Sequence, residues 1–400
     1  MKYSLLKRVY EIAEIAKQEV RNIFSDKAIF MVFFVAILVY PILYSFTYNP
    51  EVLRDVKVAV VDADNTSSSR LYARMLDAHE NVVLTQKHVT LQDAKREMLN
   101  GTVNGILYIE KGFEKNVLSN KQALVSVYCD ASYFLYYKQV LTAAKYSNAT
   151  FSAGIQLKKL LLKGMPQKQA MAFIQPIRTN SIPLYNSSAG YGTYVMPAVL
   201  FLILQQTLLI GIGILTGSKK EKQSFHFMYS YAKRFGGATS LIIGKSVVYL
   251  IIYLLHSFYT LFVIYKLFNF PQRAEFYQVF LFLVPFLLAV IFLAFIISSA
   301  FRNRENAILI LAFTTVPFLL LSGISWPVES MPQWCIKLSQ IIPSTPGVKG
   351  FLKMNQMGAS FSEIKEHFYH LWILAGVYFV GAVTYVKYLQ YKYKQKKTVA

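Results

Sequence analysis

Long apolar runs recur along this sequence, and they constrain its fold more than any other feature. Six of them reach the roughly 20 residues that a helix needs to cross a hydrocarbon core of about 30 Å. Hydrophobic residues make up 54% of the chain and charged residues only 16%, which excludes a disordered or fibrous protein. We therefore predict an α-helical polytopic membrane protein with transmembrane helices at about 28–48, 191–216, 240–268, 276–300, 307–325 and 370–389.

The net charge of +21 is unevenly divided between the segments that connect these helices. Segments on one side hold 18 basic and 6 acidic residues in 70 positions, whereas those on the other side hold 22 and 15 in 195. Because Lys and Arg concentrate on the cytoplasmic side of membranes, both termini are predicted to be cytoplasmic. The same basic excess attracts anionic membrane lipid, so no nucleic acid is expected as a partner. The basic segments are 1–27, 217–239, 301–306 and 387–400.

A stretch of ordinary soluble composition separates the first two transmembrane helices. Strand patterns at 56–61, 82–87, 103–109 and 123–130 alternate there with helical ones. This alternation predicts a small, mostly parallel α/β domain, and the charge distribution places it outside the cytoplasm. The predicted order is an amphipathic interfacial helix at 1–27, transmembrane helix 1 at 28–48, the extracytoplasmic domain at 49–190, transmembrane helices 2–6 at 191–390, and a basic cytoplasmic tail at 391–400.

The N-terminal helix is predicted to lie on the membrane surface. Val9, Val20 and Phe24 belong to its apolar face, while Glu11 and Lys17 belong to a charged face that is expected to point to water. A signal peptide is the competing interpretation. The charged stretch before the first apolar run is too long for one, and no small-residue cleavage site follows.

Chemistry that would power transport is absent from the predicted transmembrane helices. None of them contains Asp or Glu, whereas ion-coupled antiporters generally need a carboxylate there. The triplet Gly244-Lys245-Ser246 resembles part of a phosphate-binding loop, but Thr239 replaces its first glycine. Lys245 is instead expected to extend toward the membrane surface. ATP binding is therefore assigned to a different chain.

Other polar residues are predicted to be structural. His256 is expected to be a neutral residue hydrogen-bonded between helices, with a proton or substrate role as the alternative. Asp62 and Asp64 are expected to cap a helix, with a cation site as the alternative. Cys129 and Cys335 are expected to be isolated, with a disulfide as the alternative. No catalytic, cofactor-binding or metal-binding residue is predicted.

A proline-rich segment lies between the fifth and sixth transmembrane helices, at 326–350. Trp334 and Leu338 belong to an apolar helical face there, so this external segment is predicted to lie at, or enter, the outer leaflet as a re-entrant segment. Its candidate site residues are Gly323, Trp326, Pro327, Pro332, Trp334 and Pro343.

Taken together, these features resemble the permease subunit of a type 2 ABC exporter. The sequence LSGISWPVESMPQWCIKLSQIIPSTPGVKG is the most specific part, and VKVAVVDADNTSSSR opens the external domain. The resemblance implies a second permease, identical or paralogous, and cytoplasmic ABC ATPase subunits that bind ATP and Mg. A periplasmic adaptor is a further candidate partner. Exporters of this family move drugs, lipids, polysaccharides or peptides.

The resemblance also directs attention to the first cytoplasmic loop, 217–239, as a coupling loop that docks on the ATPase. Glu221 corresponds to a family glutamate, although the Gly-Thr that normally accompanies it is missing. Phe225, Met228 and Tyr229 share one helical face and are the candidate docking residues.

The sequence thus predicts a permease in the bacterial inner membrane that exports an amphipathic, drug-like or lipid-like molecule. A membrane receptor or scaffold that senses an external ligand is the alternative.

Overall fold

The computed structural model describes residues 2–87, 90–221 and 237–399. They form two compact units: a helical unit, Met1–Glu51 with Pro183–Ala400, and an α/β unit, Val52–Ile182. The strands are β1 (Val56–Asp62), β2 (Val82–Lys87), β3 (Gly105–Ile109) and β4 (Val125–Cys129). The helices are α1 (Lys2–Ser25), α2 (Lys27–Tyr48), α3 (Ser67–Asp77), α4 (Leu91–Leu99), α5 (Phe113–Leu118), α6 (Phe134–Leu162), α7 (Gln167–Ile174), α8 (Tyr191–Glu221), α9 (Ala238–Leu267), α10 (Phe276–Ser298), α11 (Arg304–Leu321), α12 (Gln333–Gln340), α13 (Ser344–Met357) and α14 (Lys365–Val399).

Six helices of the described chain are long and apolar enough to cross a membrane, which is the predicted number. They are α2, α8, α9, α10, α11 and the part of α14 that ends at Tyr391. The most apolar window of α8 is 94% buried, whereas that of α11 is 11% buried. Helix α8 is therefore the centre of the helical unit, and α11 lies at its periphery.

The fifth transmembrane helix differs from its prediction as one uninterrupted helix to residue 325. Helix α11 is divided at Thr314 and ends at Leu321. The side-chain amide of Gln206 donates to the hydroxyl oxygens of Thr314 and Thr315 at this division. Gly323 follows with φ +85°, a left-handed conformation that commonly ends helices.

Aromatic packing joins the helices at the centre of the helical unit. The Phe201 ring of α8 lies 4.6 Å from that of Phe286 and 5.0 Å from that of Phe351, measured between centroids. All three side chains are fully buried. Helix α13 is therefore part of the apolar core and does not lie on its surface.

The α/β unit is built on a four-stranded sheet of order β2-β1-β3-β4. Strand β1 is parallel to β2 and β3, and β4 is antiparallel to β3, so the predicted strands and mostly parallel sheet are present. Tyr72 of α3, Phe113 of α5 and Phe151 of α6 pack over one face of the sheet, and Ala94 of α4 over the other.

Asp62 completes the turn before α3, as expected, because its carboxylate accepts from the backbone N–H groups of Asp64 and Asn65. Asp64 caps a helix, but that helix is α5; Thr66 is the N-cap residue of α3. The Asp64 carboxylate accepts hydrogen bonds from the backbone N–H groups of 112–114 at the start of α5. Glu114 of α5 in turn accepts from Ser67 and Ser68 at the start of α3. An acid just before α3 thus caps α5, and an acid of α5 caps α3. The cysteines are free thiols.

Candidate functional site

Helix α1 buries a row of residues that includes Glu11, which was predicted to lie on the charged face. Glu11, Ile15, Glu19 and Ile23 are buried, whereas Phe24 is 56% exposed. The prediction that Glu11 points to water was therefore wrong. Residues four apart form one row on a helix, and this row faces the protein because α1 packs along α9. The apolar residues that were expected to enter the membrane remain on the outer side of the helix.

A charge cluster lies where α1 meets α8 and α9. One oxygen of the Glu19 carboxylate lies 3.3 Å from the Lys219 ammonium, and the other lies 3.3 Å from that of Lys245. The Tyr249 hydroxyl donates to the same carboxylate at 2.5 Å, and the Asn22 amide donates at 3.1 Å. The charge cluster, defined as Glu19, Lys219, Lys245 and Tyr249, therefore ties the N-terminal helix to the ends of two transmembrane helices.

Burial sets the electrostatics of the charge cluster. Desolvation raises the pKa of Glu19, but the ammonium groups of Lys219 and Lys245 and the Tyr249 hydroxyl outweigh it and lower that pKa to about 2. Glu19 is therefore ionised. Lys245 is only 6% exposed, so its ammonium pairs with Glu19 and does not reach water. A carboxylate of α1, which is not among the six candidate membrane-spanning helices of the described chain, supplies the counter-charge that those helices lack.

A glycine allows α1 to approach α9 closely. A Cβ atom at Gly244 would lie 2.8 Å from Ile15 Cγ2 and 3.0 Å from the Ile12 carbonyl oxygen. The Gly-Lys-Ser triplet therefore has a packing role. Its glycine makes room for α1, its lysine pairs with Glu19, and the Ser246 hydroxyl donates to the Ile242 carbonyl within the helix.

Further helix ends meet near the charge cluster. The Lys220 ammonium donates to the carbonyl oxygens of Ser299 and Phe301, just after α10, where a cation also complements the helix dipole. The Tyr385 hydroxyl of α14 donates to Ser299 as well. Together with the charge cluster, this contact region defines the basic end of the helical unit.

Of the predicted coupling residues, the structure describes only Glu221. It is exposed and is the last residue of α8, at the basic end. Phe225, Met228 and Tyr229 lie outside the described residues.

A different set of contacts defines the opposite end of α8. The Glu51 carboxylate accepts from the backbone N–H and the hydroxyl of Thr193 and so caps this helix. The Tyr194 hydroxyl donates to the Ile324 carbonyl oxygen, just beyond α11. The chain thus leaves the helical unit after Glu51 and returns to it close to the same helix terminus.

The segment between α11 and α14 runs toward the middle of α8 and back. The backbone N–H of Ser344, the first residue of α13, donates to the buried amide oxygen of Gln205 at 2.9 Å. Gln205 lies about 16 Å along the helix axis from Tyr194, at 1.5 Å per residue. At the far end of α13, the Gln356 amide donates to the Thr193 carbonyl oxygen. Helix α13 therefore extends from mid-depth to the end of α8 that Glu51 caps.

The predicted residues of this segment separate into two environments. Trp326 and Trp334 are 58% and 67% exposed. Pro327 precedes a short 3-10 turn, Pro332 precedes α12, and buried Pro343 precedes α13. Gly323 is confined by its positive φ and by Val328, whose Cγ2 would lie 2.6 Å from an added Cβ.

His256 packs between α2 and α9. Its ring forms edge contacts with Phe34 and Tyr253, and it is buried. Its Nε2 atom has no hydrogen-bond partner among the described residues. The contact with Phe34 agrees with the predicted position between helices, and Nε2 contributes no hydrogen bond there.

Residues 27–384 match the family described as ABC-2 family transporter protein. This chain belongs to that family. It is thus the membrane component of an ABC-2 type transporter. It is also 20% identical over 294 residues to ABC transporter G family member 20 of Dictyostelium discoideum. That match covers 73% of this chain but only 39% of the relative.

Sequence reasoning missed the most buried charges of this ABC-2 transporter component. Glu11, Ile15, Glu19 and Ile23 recur every four residues, and that spacing could have identified a protein-facing row. Lys245, a cation within an apolar run, was a signal that another element must supply an anion.

Proposed function

We propose that this chain is the transmembrane permease subunit of an ATP-driven exporter. It moves an amphipathic, drug-like or lipid-like substrate out of the cytoplasm or the inner leaflet. It acts as a dimer with a second copy or a paralogue, and ATP and Mg bind to separate cytoplasmic ABC ATPase subunits. The proposed location is a bacterial inner membrane, and a periplasmic adaptor is a further proposed partner.

The observation that carries this proposal is the buried charge cluster. Glu19 fixes an amphipathic helix to the ends of α8 and α9, so movement of α1 must displace both helices or break buried ion pairs. A force applied by an ATPase at the basic end would therefore reach the core of the helical unit. Such a rigid connection is what transport driven from another chain requires.

The proposed orientation places the basic end in the cytoplasm. The basic residues of 1–27 and 217–239 support it, as does the position of Glu51 at the opposite end of α8. The α/β unit is then extracytoplasmic, and α12 with α13 forms a re-entrant segment of the outer half of the membrane. Trp326 and Trp334 suit the headgroup region there, since an indole has an apolar body and a polar N–H group.

Co-purification and ATP hydrolysis test the assignment. The chain, expressed with an ABC ATPase of the same organism and reconstituted in vesicles, should form a complex with vanadate-sensitive ATP hydrolysis. Inside-out vesicles should accumulate an amphipathic dye when ATP is added. The chain alone should not hydrolyse ATP. Tight, stoichiometric ATP binding by the lone chain would contradict the assignment of ATP to a separate subunit. Recovery with a kinase and without an ATPase would favour the receptor interpretation.

The coupling loop provides a sharper test. Replacing Phe225 and Tyr229 with Ala should leave membrane insertion unchanged and weaken the complex with the ATPase, because large apolar side chains dominate docking interfaces. Pull-down and ATP hydrolysis in the same vesicles measure both effects. Wild-type values for the double variant would mean that this loop is not the docking element, and α1 would become the next candidate.

A further inference from the structure

The α/β unit contains a groove that its own side chains do not fill. It lies between β4, α5 and α6 and has a volume of about 670 Å³, within the usual range of small-molecule sites. Strand β4 is at the edge of the described sheet, and its residues Val125 and Val127 are only half-buried. Val58 of the central strand is fully buried. Helix α6 packs against all four strands, including β4, but leaves these β4 side chains half-exposed at the groove.

The floor of the groove is apolar and ordered. The Phe151 ring lies 5.6 Å from the Phe113 ring and 5.4 Å from the Tyr72 ring, and all three side chains are buried. One wall is the face of α6 from Leu141 to Lys159. That face is about 27 Å long at 1.5 Å per residue, enough for an extended long alkyl chain.

The rim of the groove is basic. Lys121, Lys145 and Lys159 line it, and no Asp or Glu is among its lining residues. The Lys159 ammonium is held at one end, because it donates to the Val117 carbonyl oxygen at 3.0 Å and to the Asn120 amide oxygen at 2.5 Å. Lys121 directly follows Asn120. Two cations therefore lie at the same end of the groove, whose apolar floor is flanked by the polar side chains of Asn148 and Ser152.

We propose that this groove binds a single-chain amphipathic anion, of which a long-chain carboxylate is the simplest member. The alkyl chain lies on the Phe113 and Phe151 floor, and the carboxylate faces Lys121 and Lys159. Burial of the chain supplies most of the affinity, and the two lysines fix its direction. An extended peptide that pairs with the free edge of β4 would leave the groove open, because the groove lies on the face of the sheet.

Photolabelling of the full-length protein in phosphatidylcholine nanodiscs tests this site. The probe is a palmitic acid that carries a diazirine on its chain, and labelled peptides are mapped by mass spectrometry. We expect labelling of peptides from 113–127 and 151–159, normalised to the unavoidable labelling of the transmembrane helices. Excess oleate should abolish it. Neither ATP nor an ATPase is present, so the result is independent of the proposed transport function.

Two variants and a second probe test the chemistry of the groove. Lys121→Glu should lower groove labelling about threefold to tenfold, since exposed ion pairs are individually weak. Val127→Trp should block it by filling the floor. Lys158→Glu, an exposed lysine of α6 that does not line the groove, is the matched control and should label as wild type. The corresponding fatty alcohol should label the groove weakly and the transmembrane helices normally.

Three results would overturn the proposal. Labelling confined to the transmembrane helices would mean that the groove takes no alkyl chain. Equal labelling by the acid and the alcohol, with no effect of Lys121→Glu, would indicate an apolar docking surface for a protein. Equal losses in Lys121→Glu and Lys158→Glu would indicate general electrostatics of the unit and no defined headgroup site.

Discussion

The Glu19 carboxylate lies 3.3 Å from the Lys245 ammonium, and both side chains are more than nine-tenths buried. Glu19 belongs to a helix that precedes the first transmembrane helix, and Lys245 belongs to the third. Their pairing explains how an apolar helix can contain a lysine: the counter-charge comes from outside the membrane-spanning sequence. It also makes the N-terminal helix an integral part of the helical unit.

Removing the negative charge should destabilise the protein strongly. Glu19→Gln leaves the Lys245 ammonium buried without this carboxylate, and breaking a buried ion pair costs about 3–5 kcal/mol. The unfolding temperature of the detergent-solubilised protein measures the effect. Glu14→Gln, on a half-exposed position of the same helix, is the control and should change little.

The double variant with Glu19→Gln and Lys245→Met should recover much of the lost stability, because the buried Lys245 charge is then gone and the remaining ammonium, that of Lys219, is partly exposed. A double variant that is no more stable than Glu19→Gln would contradict the assigned ion pair.

The same pair predicts how stability depends on pH. Because the pKa of Glu19 is lowered from 4.5 to about 2, its ionised form stabilises the folded state above pH 4.5. That contribution, about 3 kcal/mol at 1.36 kcal/mol per pH unit, is lost as the pH falls from 4.5 toward 2. The unfolding temperature of the wild type should therefore fall more steeply over this interval than that of Glu19→Gln. Parallel curves for the two proteins would refute the lowered pKa.

The close contact at Gly244 predicts that alanine has different effects on stability at Gly244 and at Gly376. Gly244→Ala places a Cβ atom 2.8 Å from Ile15, so α1 must shift, at a cost of about 1–3 kcal/mol. Gly376→Ala, in α14, meets nothing within 4 Å and should be neutral or slightly stabilising. Unfolding temperatures distinguish them. Equal unfolding temperatures for Gly244→Ala and Gly376→Ala would mean that α1 is not held there.

The features of this fold that the sequence predicts depend on neighbouring residues, whereas those that it does not predict depend on residues far apart in the chain. The transmembrane helices and the strands were predictable because each is encoded by a local pattern, an apolar run or a short β-branched segment. The charge cluster was not, because Tyr249 and Glu19 are 230 residues apart and only the packing of α1 joins them. The division of α11 depends likewise on Gln206 of α8. Local patterns do not specify which helices meet.

Membrane orientation provides the last prediction, because the charge distribution assigns opposite sides to the α/β unit and the C-terminal segment. Cys129 and Cys335 are free thiols, so both must first be replaced with Ser to give a silent background. Lys111→Cys, an exposed position beside α5, should then react with an impermeant maleimide added to intact cells. Lys396→Cys should react only after permeabilisation, and a permeant maleimide should label both variants. Reaction of both positions from the same side would contradict the orientation, because an even number of membrane crossings would then separate them.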